Sequence, residues 1–134
     1  LAIHPKQVAP ILAAFTPTAA EVDRAARMVA ALEQAGGNAV EFEGKMLEGP
    51  VVKAAQRVLA ESLARSLGPR GIHVAYLAID AVIDVPWARQ QFRDKPDDFF
   101  AKPSAIADVA FGLAHQDRST WAFDVVVRPF GEPW

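Results

Sequence analysis

Two hydrophobic periods meet across Gly68-Pro69, and their order is what most limits the fold. Upstream, Val51, Ala55, Val58, Leu59, Leu63 and Leu67 recur every three or four residues, the stripe of an amphipathic helix. Downstream, Ile72 to Ile79 is almost continuously apolar, interrupted mildly by His73 and Tyr76. A strand reads that way when both faces of a parallel sheet are covered. A helix feeding such a strand through a Gly-Pro stop predicts a layered α/β arrangement.

The rest of the chain repeats this alternation. Gln7 to Phe15 predicts a short apolar helix ended by Thr16-Pro17. Thr18 and Glu21 have capping-box spacing and open a second helix, with Val22, Ala26, Val29 and Leu32 on one face and Gly36-Gly37 as its stop. Ala39 to Phe42 predicts a short strand, and Gly44 and Gly49-Pro50 mark the loop after it. Pro86, Pro96 and Pro103 divide a charged, mobile-looking region with a short helix near Trp87 to Phe92. Pro103 suits the first turn of a helix carrying Ile106, Val109, Ala110 and Leu113, and Trp121 to Arg128 reads as a final strand. The expectation is a small α/β layered fragment with a few mostly parallel strands and flanking helices, Rossmann-like in its C-terminal part.

Composition narrows the functions. At 51% hydrophobic, 134 residues suffice for a real core, burying roughly 65% of the unfolded surface. A net charge of −2 without a basic run gives no footprint for nucleic acid or an anionic membrane, and no apolar stretch reaches the length of a membrane span. With no cysteine, thiolate metal sites and disulfides are excluded, and the chain reads as soluble and cytoplasmic. His4, His73 and His115 are far apart without an i,i+4 pair, so no metal site is expected. Asp97-Asp98 and Asp80 with Asp84 are paired acids without metal-loop spacing. A start at Leu1, entering a strand-like Leu1-Ala2-Ile3, suggests a segment of something longer.

Three features in residues 1–59 carry a resemblance: Ala2-Ile3-His4-Pro5-Lys6-Gln7, then Phe15-Thr16-Pro17 leading into the capped helix, then Gly44-Lys45-Met46-Leu47-Glu48-Gly49-Pro50. In order and spacing they resemble the C-terminal tail of citrate lyase β-subunit-like CoA-ester lyases, of the HpcH/HpaI aldolase kind. The resemblance implies a hinged lid that delivers an acidic group beside an acyl-CoA on a neighbouring barrel, with a CoA ester and Mg²⁺ in a complete enzyme. Glu48 stands at the family's aspartate position. A carboxylate there acts as a general base toward an acidic C–H of a thioester when burial brings it near neutrality, and the extra methylene of glutamate moves it by more than about 1 Å. The plainer alternative is a solvated loop residue.

Residues 53–134 carry a second resemblance. Lys53-Ala54-Ala55, Glu61-Ser62-Leu63-Ala64-Arg65, Leu67 to Val74, Ile83-Asp84-Val85-Pro86 and Arg128-Pro129-Phe130-Gly131 are similar to the C-terminal half of short-chain dehydrogenases/reductases. On that resemblance Lys53 is the lysine that holds the nicotinamide ribose, and Ile83 and Val85 match positions that contact the nicotinamide amide. The family's tyrosine position is Gly49, no serine stands upstream, and no glycine-rich turn is present to nest a pyrophosphate.

Together these predict two segments, 1–52 lyase-lid-like and 53–134 dehydrogenase-like, in a chain catalytically incomplete by itself. No cofactor is expected for it alone, with NAD(P) or Mg²⁺ and a CoA ester expected only in completed parent enzymes. An NAD(P)-dependent oxidoreductase lacking its N-terminal half and a lyase lid acting on a partner barrel are the alternatives. Self-association through open sheet edges, or pairing with a missing complementary segment, follows as the expected partnership.

Overall fold

The computed structural model describes residues 5–131. It is a small α/β structure of helices and short strands, two of the three strand pairs being parallel. Two compact units divide the chain, residues 1–70 and 71–134. A continuous helix runs through residues 52 and 53, where the two resemblances meet.

In the first unit, a 3₁₀ turn at Pro5–Gln7 leads into α1 (Val8–Phe15), whose apolar side chains are exposed. α2 (Ala19–Gln34) begins at the predicted capping box: the Thr18 hydroxyl accepts from the Glu21 N–H at 3.2 Å, and the Glu21 carboxylate accepts from the Thr18 N–H at 2.7 Å. These bonds to Thr18 hold the Glu21 carboxyl below the ordinary glutamate range. α3 (Gly49–Leu67) packs against α2, and the core between them is Ala25, Met28, Leu47, Val52 and Ala55.

Between these helices lies a hairpin where a single strand and a loop were expected. β1 (Glu41–Phe42) pairs antiparallel with β2 (Lys45–Met46), with Phe42 opposite Lys45. The turn uses Glu43 at φ +50° and Gly44 at φ +75°, the left-handed pair that a two-residue hairpin demands. Gly49 and Pro50, expected in a loop, form the first turn of α3, where proline's fixed φ and missing N–H cost nothing.

In the second unit, β3 (Tyr76–Ile79) pairs in parallel with β6 (Asp124–Val127), with α5 (Pro103–Ala114) between them in sequence. β4 (Val82–Ile83) pairs in parallel with β5 (Phe100–Ala101), and α4 (Pro86–Gln91) lies between those two in the chain. The ladders are shorter than the apolar runs predicting them: residues 72–75 and 121–123 are not strand. Among the described residues, no helix is long and apolar enough to cross a membrane.

Candidate functional site

In the first unit the carboxylate of interest is displayed by a strand-to-helix corner. Leu47 is buried and donates its N–H to the Val40 carbonyl at 2.9 Å, extending the hairpin by one bond. Because successive side chains on extended backbone point to opposite sides, burying Leu47 turns Met46 and Glu48 outward, and both are exposed. Glu48 is also the N-cap of α3. Its carbonyl accepts from Val51 and Val52 at 3.0 and 3.1 Å, while its side chain makes no capping bond. The carboxylate is therefore presented rather than buried within this unit. Lys53 lies five positions on, turned about 140° around the helix from Glu48. It too is exposed, between the inward-facing Val52 and Ala55.

The hairpin that precedes Glu48 is anchored to α2 by charge and ring contacts. Arg24 and Arg27 place their guanidinium carbons 5.7 and 5.4 Å from the Phe42 ring centroid. Both arginines also pair with Glu43, at 2.8 and 3.3 Å.

Ile83 and Val85 belong to the second unit and flank Asp84. The Val85 N–H donates to the Ile83 carbonyl at 2.9 Å, and the Asp84 N–H to Ala101 at 2.9 Å. Both apolar residues are half-buried. The Asp84 side chain is held by Arg89 through two bonds, Nε–Oδ1 at 2.6 Å and Nη2–Oδ2 at 2.8 Å. Arg89 also donates to Asp97 at 2.6 Å and lies 4.0 Å over the Phe100 ring. The bond from Arg89 holds the Asp84 carboxyl below the ordinary aspartate range, and its bonds to Asp84 and then Asp97 hold Arg89 protonated.

This cluster corrects two sequence expectations. Asp80 and Asp84 do not act as an acid pair, because each has its own arginine: Asp84 has Arg89, and Asp80 accepts from Arg128 Nη2 at 2.7 Å. The charged region after Pro86 is tied down by Arg89. Phe92, Phe99 and Phe100 follow in ring contact, with centroids 5.8 and 5.2 Å apart, while Trp87 stays exposed. The sequence signal, an arginine five residues after an aspartate across a helix-opening proline, was present but unspecific.

Two clefts open in the second unit. One of about 770 Å³ has Phe100, Ile106 and Val109 as apolar walls, with Lys102 and Arg128 adding charge. The other, of about 460 Å³, has His73, Arg118 and Trp121 among its lining residues. β3 passes through Asp80-Ala81 directly to β4, without a glycine-rich turn into a helix. The start of α3 carries an acidic N-cap and a proline lacking an N–H, unsuited to a phosphate. Among the described residues, no group of three His, Cys, Asp or Glu side chains converges as metal ligands do. His4 lies outside the described residues.

Comparison with known proteins gives one direction. Over 68 residues the chain is 34% identical to the citrate lyase β subunit of Leuconostoc mesenteroides subsp. cremoris, covering 48% of this chain and 22% of that protein. Over the same length it is 37% identical to the mitochondrial citramalyl-CoA lyases of Rattus norvegicus and Mus musculus, covering 48% of this chain and 20% of each. About half of this chain is similar to these lyases. The match spans about a fifth of the relatives' own length. The dehydrogenase resemblance of residues 53–134 has no counterpart among these relatives. No family model matches, and no solved structure matches.

Proposed function

We propose that the first unit is the closing segment of a CoA-ester lyase of the citrate or citramalyl-CoA lyase kind, presenting Glu48 to a thioester held on a barrel outside this chain. The observation that carries the reading is the partial identity to such lyases, in a chain whose Gly44-to-Pro50 motif displays the exposed carboxylate of Glu48.

The chemistry asked of Glu48 is modest. In the carbon–carbon bond-forming direction its carboxylate takes a proton from the carbon next to the thioester carbonyl, leaving an enolate. In the cleavage direction the protonated acid returns that proton to the enolate. Such proton transfer contributes roughly 10²- to 10⁴-fold when the carboxyl is desolvated and aligned. Within its own unit Glu48 is exposed, so the desolvation must come from the surface it closes against. The hairpin's anchoring through Phe42 and Glu43 gives the carboxylate a fixed base.

The test is reconstitution of this chain with a lyase barrel deprived of its own tail. Glu48→Ala is expected to lower the rate by about 10²-fold or more, and Glu48→Asp to change it measurably because the carboxyl moves by about one methylene. An unchanged rate in Glu48→Ala overturns the proposal.

A second reading, the tail of an NAD(P)-dependent oxidoreductase, is supported by the parallel β3–α5–β6 connection and by Ile83 and Val85 lying just beyond β3. Fold likeness is weaker support than a site. Saturable NAD(H) or NADP(H) binding by calorimetry, lost in Val85→Asp, is its test, and absence of binding rejects it for this chain.

A further inference from the structure

The two-stranded sheet of the second unit has one side with nothing paired to it. Tyr76 donates its N–H to Phe123 at 2.6 Å and Asp80 donates to Val127 at 2.9 Å. Register runs from Tyr76 opposite Asp124 to Ile79 opposite Val127. Backbone groups of alternate residues in a strand face opposite sides. Residues 76, 78 and 80 therefore face β6, and the N–H and C=O groups of Leu77 and Ile79 face away from it. Among the described residues, no strand pairs on that side.

From this geometry we infer that a second copy of the chain pairs with that edge, β3 against β3 in antiparallel register about a two-fold axis at Ala78. In this register Leu77 of one copy stands opposite Ile79 of the other. Both are residues whose bonding groups point outward, so each pair exchanges both of its hydrogen bonds. Ala78 meets Ala78 of the second copy as the closer, non-hydrogen-bonded pair, and its small side chain permits that approach.

Three observations select a second copy and this edge. First, Tyr76 to Ile79 has no charge, proline or bulge, the devices that keep edges unpaired, whereas the strand on the other side is bounded by Asp124 and by Arg128-Pro129. Second, Leu77 and Ile79 share a face with Val125 and Val127, all half-buried; the two-fold joins this apolar face to its own copy, giving the order β6–β3–β3–β6. A two-stranded sheet is marginal alone, and four strands are not. Third, the register sets Tyr76 opposite Asp80 of the second copy, a phenol donor facing a carboxylate rather than two like groups.

The chain has no cysteine, so an introduced thiol reports a single position. Cross-strand Cα atoms at a non-hydrogen-bonded pair lie about 4.5 Å apart, within disulfide range. Ala78→Cys is expected to form a covalent dimer on mild oxidation roughly tenfold faster or more than Val126→Cys, an exposed control on β6, because the dimer raises the local thiol concentration. Light scattering is expected to give the wild-type chain twice its 14.5 kDa mass, and Ala78→Lys the monomer mass with unchanged helical circular dichroism. The inference is overturned by a wild-type monomer at every concentration. It is equally overturned by a dimer that Ala78→Lys leaves intact and that Ala78→Cys links no faster than the control.

Discussion

Arg89 grips both carboxylate oxygens of Asp84, at 2.6 and 2.8 Å, across the first turn of α4. The fork fixes the direction in which the chain leaves β4, and the same guanidinium lies over the buried ring of Phe100, at the start of β5, 4.0 Å from its centroid. One side chain thus joins the exit of one strand to the entry of its parallel partner.

The pH dependence of this bridge follows from the lowered Asp84 carboxyl. A carboxyl depressed in the folded state stabilises the fold fully above the ordinary aspartate value of 3.8 and loses that contribution as pH falls through the folded value. Wild type and Asp84→Asn are therefore expected to differ in melting temperature at pH 7 and to converge progressively below about pH 4. A difference persisting undiminished at pH 2 removes the ion pair as its source.

The hairpin turn sets strain against charge. Glu43 sits at φ +50°, a conformation costing a non-glycine residue about 1 to 2 kcal/mol. Its pairs with Arg24 and Arg27 are half-exposed and contribute about 0 to 1 kcal/mol each after screening. Glu43→Gly is expected to be near neutral, since relief of strain offsets the lost pairs. Gly44→Ala, at φ +75° without a compensating pair, is expected to destabilise by about 1 kcal/mol in chemical denaturation. Equal losses in the two variants contradict this balance.

How far this turn was legible shows where sequence reasoning stops. α2, α3 and α5 followed from capping residues, stops and stripes, all local signals. The hairpin was missed because Glu43-Gly44 is a poor version of the Asn-Gly or Asp-Gly signal. Glutamate is held there by Arg24, 19 residues earlier in the chain, and by Arg27, a long-range cause. The β4–β5 pair was missed for a similar reason: two-residue strands have no period, and the Arg89 cluster placing them joins residues 84, 89, 97 and 100. Of the candidate site, Lys53 was expected near the start of α3, whereas Glu48 was expected in a loop and is the N-cap of that helix. Its place depends on Leu47 filling the core, which no local signal announces.

His73 offers the sharpest test of the second unit. Its Nδ1 lies 3.1 Å from the Leu113 carbonyl, near the C-terminus of α5, and its Nε2 lies 2.7 Å from the Ala122 carbonyl, just before β6. The ring stacks on Trp121 with centroids 4.9 Å apart and planes within 3°. One imidazole thus ties the end of a helix to the approach of a strand. Carbonyl oxygens only accept, and which ring nitrogen donates depends on the tautomer. His73→Phe keeps a ring to stack on Trp121 but removes the ring donor facing the Ala122 carbonyl, while Leu113 keeps its bond from the Gln116 N–H, an expected loss of about 1 to 3 kcal/mol. His73→Gln, whose amide donates to one carbonyl, is expected to recover part of that loss. Denaturation followed by tryptophan fluorescence measures both, and a Phe variant as stable as wild type shows that the stacking, not hydrogen bonding by the ring, holds α5 to β6.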